Sequence, residues 1–221
     1  MLPLNFTKNN FIIKYRIDHI VYTVFDLDAA IQFFTKKIGV TPIFGGYHKN
    51  QGTKNALINL SDECYLEILA IDNTNTSIKP PRWMGVDVLK KNQITRFALK
   101  SKALKKESKI LKLYDSKMGI ISNGLRQTSN GNILKWELTL PLPKPEVEIF
   151  PFLIDWSGSK THPSLQLPQM DCKLIKFYGT HPNPKKFDRL FEMLDFSIQI
   201  KKDKKISLQM ILDTPKGLVT L

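Results

Sequence analysis

Two polar side chains stand inside apolar runs where a plain core would have none. His19 lies in Ile17-Asp18-His19-Ile20-Val21-Tyr22-Thr23-Val24, and Glu67 in Cys64-Tyr65-Leu66-Glu67-Ile68-Leu69-Ala70. An imidazole and a carboxylate turned into one interior space can ligate a divalent metal. The plainer reading is a structural His–Glu hydrogen bond. A carboxylate between Leu66 and Ile68 rarely sits inside a sheet unpaired, so the two residues are expected to act together. On separate strands, they converge only if the sheet curls.

The elements that would position them read as one βαβββ unit. After the first strand, Asp26 is a suitable N-cap, and Leu27, Ala30, Ile31, Phe34 and Ile38 form a buried helical stripe. Gly39 stops the helix and Thr41-Pro42 forbids its continuation. In the strand near 54–60, Ala56, Ile58 and Leu60 point one way, and Asn55, Leu57 and Asn59 the other. The same alternation puts His19, Asn55 and Glu67 on one concave face, and makes Cys64 a buried, inert thiol.

The unit recurs. A strand at 94–100, a helix at 101–118 stopped by Gly119, and strands at 120–127, 133–140 and 147–156 repeat the order. Turn signals fall at Ser129-Asn130-Gly131 and at 141–145. A shorter third copy starts at Lys173: a strand, a helix entered by Asn183-Pro184, and strands at 196–201 and 205–212. The fold class is therefore α+β: paired βαβββ modules forming a half-open barrel, with a partial third βαββ module at the C-terminus. The expected division is an N-terminal extension at 1–15, a main domain at 16–163 with modules 16–72 and 93–156, and the partial module at 164–221. Phe11-Ile12-Ile13 is a candidate edge strand in the extension.

Composition bounds the function. The 221 residues are 42% hydrophobic, which suffices to bury a core. Two cysteines exclude a disulfide framework and a Cys-rich zinc site, and fit a reducing, cytoplasmic location. No run of about 18 apolar residues suggests a membrane span. The formal charge of +13 invites nucleic acid, but the charge is mostly Lys spread over solvent faces. No zinc-finger, helix-turn-helix or RNP-like pattern accompanies it. A solvated surface is the favoured reading, and nucleic-acid binding the weakest of those considered.

Other candidates cluster in two loops. Gly45-Gly46-Tyr47-His48 and Gly52-Thr53 could offer bare amides and His48 to an anionic or carbonyl group, with Asn55 beside them. As an isolated motif the stretch reads equally as a wide turn that needs glycines. Trp156 and His162 follow the second module's last strand. His48 and His162 are candidate proton carriers because an unperturbed imidazole titrates near neutrality. His181 before Pro182 reads as structural, and Trp83 and Trp136 fit core or cavity alike. No Ser-His-Asp order, phosphate loop or dinucleotide fingerprint points to another enzyme class.

These residues together resemble the vicinal oxygen chelate superfamily in its glyoxalase-like branch. Those carrying the likeness are Ile17-Asp18-His19-Ile20-Val21, Asp26-Leu27-Asp28-Ala29-Ala30, Gly45-Gly46-Tyr47-His48, Gly52-Thr53-Lys54-Asn55-Ala56-Leu57, Tyr65-Leu66-Glu67-Ile68, Pro151 to Trp156 and His162-Pro163. The resemblance implies metal ligands from the first and last strands of each module: His19, Glu67 and, in the second module, Asp155. A divalent ion (Zn, Fe, Mn or Ni) would act there as a Lewis acid. Arg96 occupies the remaining ligand position and would repel a cation or bridge to a carboxylate. Two functions follow. One is a glyoxalase-like enzyme of lyase, isomerase or dioxygenase type acting on a small oxygen-rich molecule. The other is a metal-free protein that sequesters such a molecule. In both, Gly46, Thr53, Asn55, Arg96 and Trp156 are expected around the ligand, and a homodimer is a compatible assembly.

Overall fold

The computed structural model describes residues 16–127 and 133–221. The extension at 1–15, with its candidate edge strand, and the turn at 129–131 lie outside the described residues. The first module runs β1 (Ile17–Thr23), α1 (Leu27–Ile38), β2 (Ile43–His48), β3 (Thr53–Asn59) and β4 (Tyr65–Ile71). Asp26 caps α1 by accepting from the Ala29 amide at 2.8 Å. Gly39 ends it in the left-handed region at φ 76°, where a Cβ would be strained. Leu27, Ala30, Phe34 and Ile38 are the buried face of α1. The second module repeats the order: β5 (Gln93–Lys100), α2 (Leu104–Tyr114), a short 3-10 turn, β6 (Ile121–Gln127), β7 (Ile133–Thr139) and β8 (Phe152–Asp155).

All eight strands form one sheet in the order β2-β3-β4-β1-β5-β8-β7-β6. Within each module the first strand pairs in parallel with the last, β1 with β4 and β5 with β8. The modules join by antiparallel pairing of β1 with β5, His19 lying opposite Ala98. Read outward from that seam, the two halves match strand for strand, which is a pseudo-twofold. The sheet curls until its outermost strands meet: Arg126 Nη1 on β6 donates to the Gly45 carbonyl on β2 at 2.8 Å.

Residues 173–220 form a second sheet. Its strands are β9 (Lys173–His181), β10 (Gln199–Lys202), β11 (Ser207–Thr214) and β12 (Gly217–Thr220), with α3 (Asp188–Met193) after β9. The order is β10-β9-β11-β12, with β10 parallel to β9. One strand beyond the expected two closes the unit, because Gly217 at φ 85° turns the chain back into β12. This unit packs on the convex face of the large sheet, where Phe97 of β5 meets Phe177 at 5.0 Å. The main core therefore lies between the convex face, α1, α2 and the C-terminal unit. A smaller cluster, including Val21, Leu69, Ala98, Leu138 and Phe152, lines the concave side. Among the described residues, no helix is long and apolar enough to cross a membrane.

Candidate functional site

The concave side holds a small cleft, about 50 Å³ of cavity space opening to solvent, lined from both modules. The first module supplies His19 from β1, His48 from β2, Asn55 and Leu57 from β3, and Tyr65 and Glu67 from β4. The second supplies Arg126 from β6, Trp136 and Leu138 from β7, Phe152 and Ile154 from β8, and Trp156. Trp83 and Met84, from the segment between the modules, complete the wall. Met84 is buried with φ 55°, a conformation a side-chain-bearing residue adopts only when its surroundings force it.

Strand alternation brings His19, Asn55 and Glu67 together as expected. Asn55 Nδ2 donates to Glu67 Oε1 at 2.6 Å. Glu67 Oε2 faces His19 Nε2 at 3.9 Å, too far for a hydrogen bond. No described residue hydrogen-bonds either atom, so an acceptor oxygen and a ring nitrogen confront each other across an open gap. His48 Nε2 lies 3.9 Å from Glu67 Oε1, and its Nδ1 is hydrogen-bonded to the buried Thr53 hydroxyl at 2.9 Å. Burial pushes the His48 pKa down, opposed by Glu67 and helped by the positive charge of Arg126, so the ring is neutral at pH 7. Burial also raises the Tyr65 phenol well above its ordinary range, reinforced by Asp18 and Glu67. The ring of Tyr65 stacks on His19 at 4.8 Å between centroids.

Behind His19 lies a residue that period-two reasoning passes over. The β1–β5 register shifts between Ile17 and His19, a bulge that sets the Asp18 carboxylate beside the His19 ring instead of on the opposite face. Asp18 is wholly buried and accepts three N–H groups. They come from His19 Nδ1 at 2.7 Å, His162 Nε2 at 2.9 Å and Trp156 Nε1 at 3.0 Å. Burial raises its pKa, but the hydrogen bonds and charges of His162 and His19 outweigh that and hold it at about 2. A carboxylate only accepts, so His19 carries a proton on Nδ1 and turns Nε2 to the cleft.

Several expected site residues lie elsewhere. Asp155 does not line the cleft. Phe152 and Ile154 of β8 point inward, alternation turns Asp155 away, and its carboxylate caps the Ser157 amide at 2.8 Å. Arg96 does not line it either. Its guanidinium donates to the carbonyls of Thr95, Leu142, Lys144 and Glu146, pinning the loop before β8, and forms no bridge to Glu67 or Asp155. Its burial lowers its pKa to about 10, countered in part by Glu148 and Glu146. His162 supports Asp18 from behind, with Nδ1 against the Ser164 hydroxyl at 2.7 Å, and does not reach the cleft. Gly46 and Thr53 do not line it; Thr53 is buried and holds His48. Asn55, His48 and Trp156 do line it. The glycine pair serves close approach: a Cβ at Gly45 would meet Asn55 Oδ1 at 2.4 Å and Arg126 Nη1 at 3.2 Å. Gly124 likewise clears the Trp136 indole, whose Cε2 would lie 2.0 Å from a Cβ there.

The implied metal centre does not fit these residues. The expected set of His19, Glu67 and Asp155 is not brought together. Asn55 Nδ2 stands 2.6 Å from Glu67 Oε1 and 3.4 Å from His48 Nε2, where an ion shared by those two would sit, and an NH2 donor there repels a cation. The second module faces the cluster with Phe152 and Ile154. Among the described residues, no three His, Cys, Asp or Glu side chains form a group that could hold a metal ion.

Paired βαβββ modules curled round a polar-floored cleft define the vicinal oxygen chelate superfamily. A family model described as "Glyoxalase-like domain" matches residues 17–194, and the chain belongs to that family. A crystal structure of a hypothetical protein from Staphylococcus aureus is similar over 92% of this chain and 83% of that one, at 17% identity and a TM-score of 0.60. A methylmalonyl-CoA epimerase in complex with methylmalonyl-CoA and NH4+ covers 65% of this chain and 95% of its own, at 18% identity and TM-score 0.43. The epimerase from Mycobacterium tuberculosis covers 70% and 91%, at 14% identity and TM-score 0.40. No curated protein sequence matches the chain.

Proposed function

We propose that the cleft binds a small organic molecule bearing a carbonyl oxygen and moves a proton on it without a resident metal ion. The observation that carries this reading is the open pair of Glu67 Oε2 and His19 Nε2, 3.9 Å apart at the floor of an aromatic-walled cleft. An atom about 2.8 Å from both would fill that gap. Asn55 holds Oε1 and leaves Oε2 as the base. Proton abstraction from the carbon beside a carbonyl breaks a C–H bond, forms the Glu67 O–H bond and shifts charge onto the carbonyl oxygen. Neutral His48 is the ring placed to donate to that oxygen, after exchanging its Thr53 contact for the other tautomer. The chemistry is of isomerase or lyase type.

A second reading, sequestration without turnover, draws support from the second module, which offers the cluster indoles and aliphatic side chains but no acid or base. The experiment is calorimetric titration with 2-oxo-4-phenylbutanoate in the presence of EDTA, paired with proton NMR of its exchange in D2O, on the parent and on Glu67→Gln. Binding by both with proton exchange only in the parent supports catalysis. Binding without exchange in either supports sequestration, and absence of binding overturns both.

A further inference from the structure

Arg126 is the one Lys or Arg among the described residues lining the cleft, and it forms no salt bridge with any of them. It is half-buried, and its one hydrogen bond among the described residues runs from Nη1 to the Gly45 carbonyl. A guanidinium carries five N–H donors in a planar fork. One is spent on Gly45, which fixes the plane, and no other described residue engages the fork. Gly45 carries no Cβ, and one there would crowd Arg126 Nη1 at 3.2 Å. The opposite outermost strand of the sheet thus yields space and a carbonyl to a charge from β6. Arg126 also shares the inward face with Trp136, because Gly124, two residues before it, pairs with Trp136 in register.

The cleft therefore has three chemically distinct parts. Its floor holds the Glu67–His19–His48 cluster. One wall is indole, with Trp136 and Trp156 at 5.1 Å between ring centroids and Trp83 nearby. At the seam where β2 and β6 meet stands the Arg126 guanidinium, without a carboxylate partner among the described residues. Resting on the proton-transfer reading above, we infer that the natural ligand is a small carboxylate with an apolar or aromatic body, its anionic end bound by Arg126 and its body against the tryptophans. A guanidinium fork in a partly desolvated cleft takes a carboxylate oxygen by charge-assisted hydrogen bonds, stronger than those between neutral groups. The bound anion would join β6 to β2 through Arg126 and close the seam over the ligand.

The test compares 2-oxo-4-phenylbutanoate with its neutral methyl ester, by calorimetry, on the parent, Arg126→Gln and Arg126→Lys. The parent should prefer the acid by roughly 10-fold or more. Arg126→Gln should lose that preference while still binding the ester, which also reports an intact cleft, and Arg126→Lys should keep part of it. Equal binding of acid and ester by the parent, or a preference that survives in Arg126→Gln, overturns the inference and leaves the proton-transfer reading standing. Binding of neither compound by the parent overturns both.

Discussion

Replacing Asp18 by Asn tests the support behind the cleft. The three N–H groups that meet the carboxylate divide unequally: His162 and Trp156 share Oδ2, and His19 alone meets Oδ1. An amide has one oxygen, which satisfies most donors on the Oδ2 side, so its NH2 group faces His19. His19 must then accept at Nδ1 and carry its proton on Nε2, toward Glu67. The fall of the Asp18 pKa from 3.8 to about 2 corresponds to roughly 2.5 kcal/mol of stability. With the weakened hydrogen bonds the loss at pH 7 should be about 3 kcal/mol, or about 6–12 °C in Tm for a chain of this size. The pH dependence has a definite sign. The folded pKa lies below the unfolded one, so the contribution is complete above about pH 4 and fades as pH falls from 3.8 through 2. At pH 3 it is roughly half its neutral value. Urea unfolding at pH 7 and pH 3, followed by circular dichroism, measures both numbers. A loss under about 1 kcal/mol at pH 7, or an equal loss at both pH values, refutes the three-donor account.

Other substitutions probe separate parts of the structure. Arg96→Met should cost at least about 3 kcal/mol by leaving buried loop carbonyls unsatisfied, and should not raise affinity for zinc, because the guanidinium lies outside the cleft; calorimetry with zinc and urea unfolding check the two halves. Gly124→Ala should displace the Trp136 indole, costing about 1–3 kcal/mol and changing tryptophan fluorescence. The His48 imidazole should titrate below 6.5 by NMR. Its lowered folded pKa means that the unfolded chain takes up a proton first on acidification, so this group's contribution to stability falls as pH drops below 6.5.

What could be read from the sequence was whatever obeys a fixed period. Asp26 and Gly39 bound α1, the two modules repeat, and alternation puts His19, Asn55 and Glu67 on one face. The bulge at Ile17–His19 breaks that alternation, and nothing in the residue types announces it, so Asp18 looked like a neighbour and proved to be the hub. Aligning Leu153-Ile154-Asp155-Trp156 with Tyr65-Leu66-Glu67-Ile68 made Asp155 a ligand, yet β8 turns Phe152 and Ile154 inward. Arg126 sits on a strand at the far end of the sheet from β2, and only the curl of eight strands carries it to Gly45. Trp136 reaches the cleft because Gly124, on the neighbouring strand, leaves room for its ring.

On the proposed function, Glu67 and its imidazole neighbours transfer a proton in this cleft unaided by metal. Incubation of the protein with 2-oxo-4-phenylbutanoate in D2O containing EDTA, followed by proton NMR, reads that transfer at the carbon next to the carbonyl. Deuterium should enter faster than in protein-free buffer with the parent, and at the buffer rate with Glu67→Gln. Exchange at the buffer rate with the parent, or exchange undiminished in Glu67→Gln, would contradict the account.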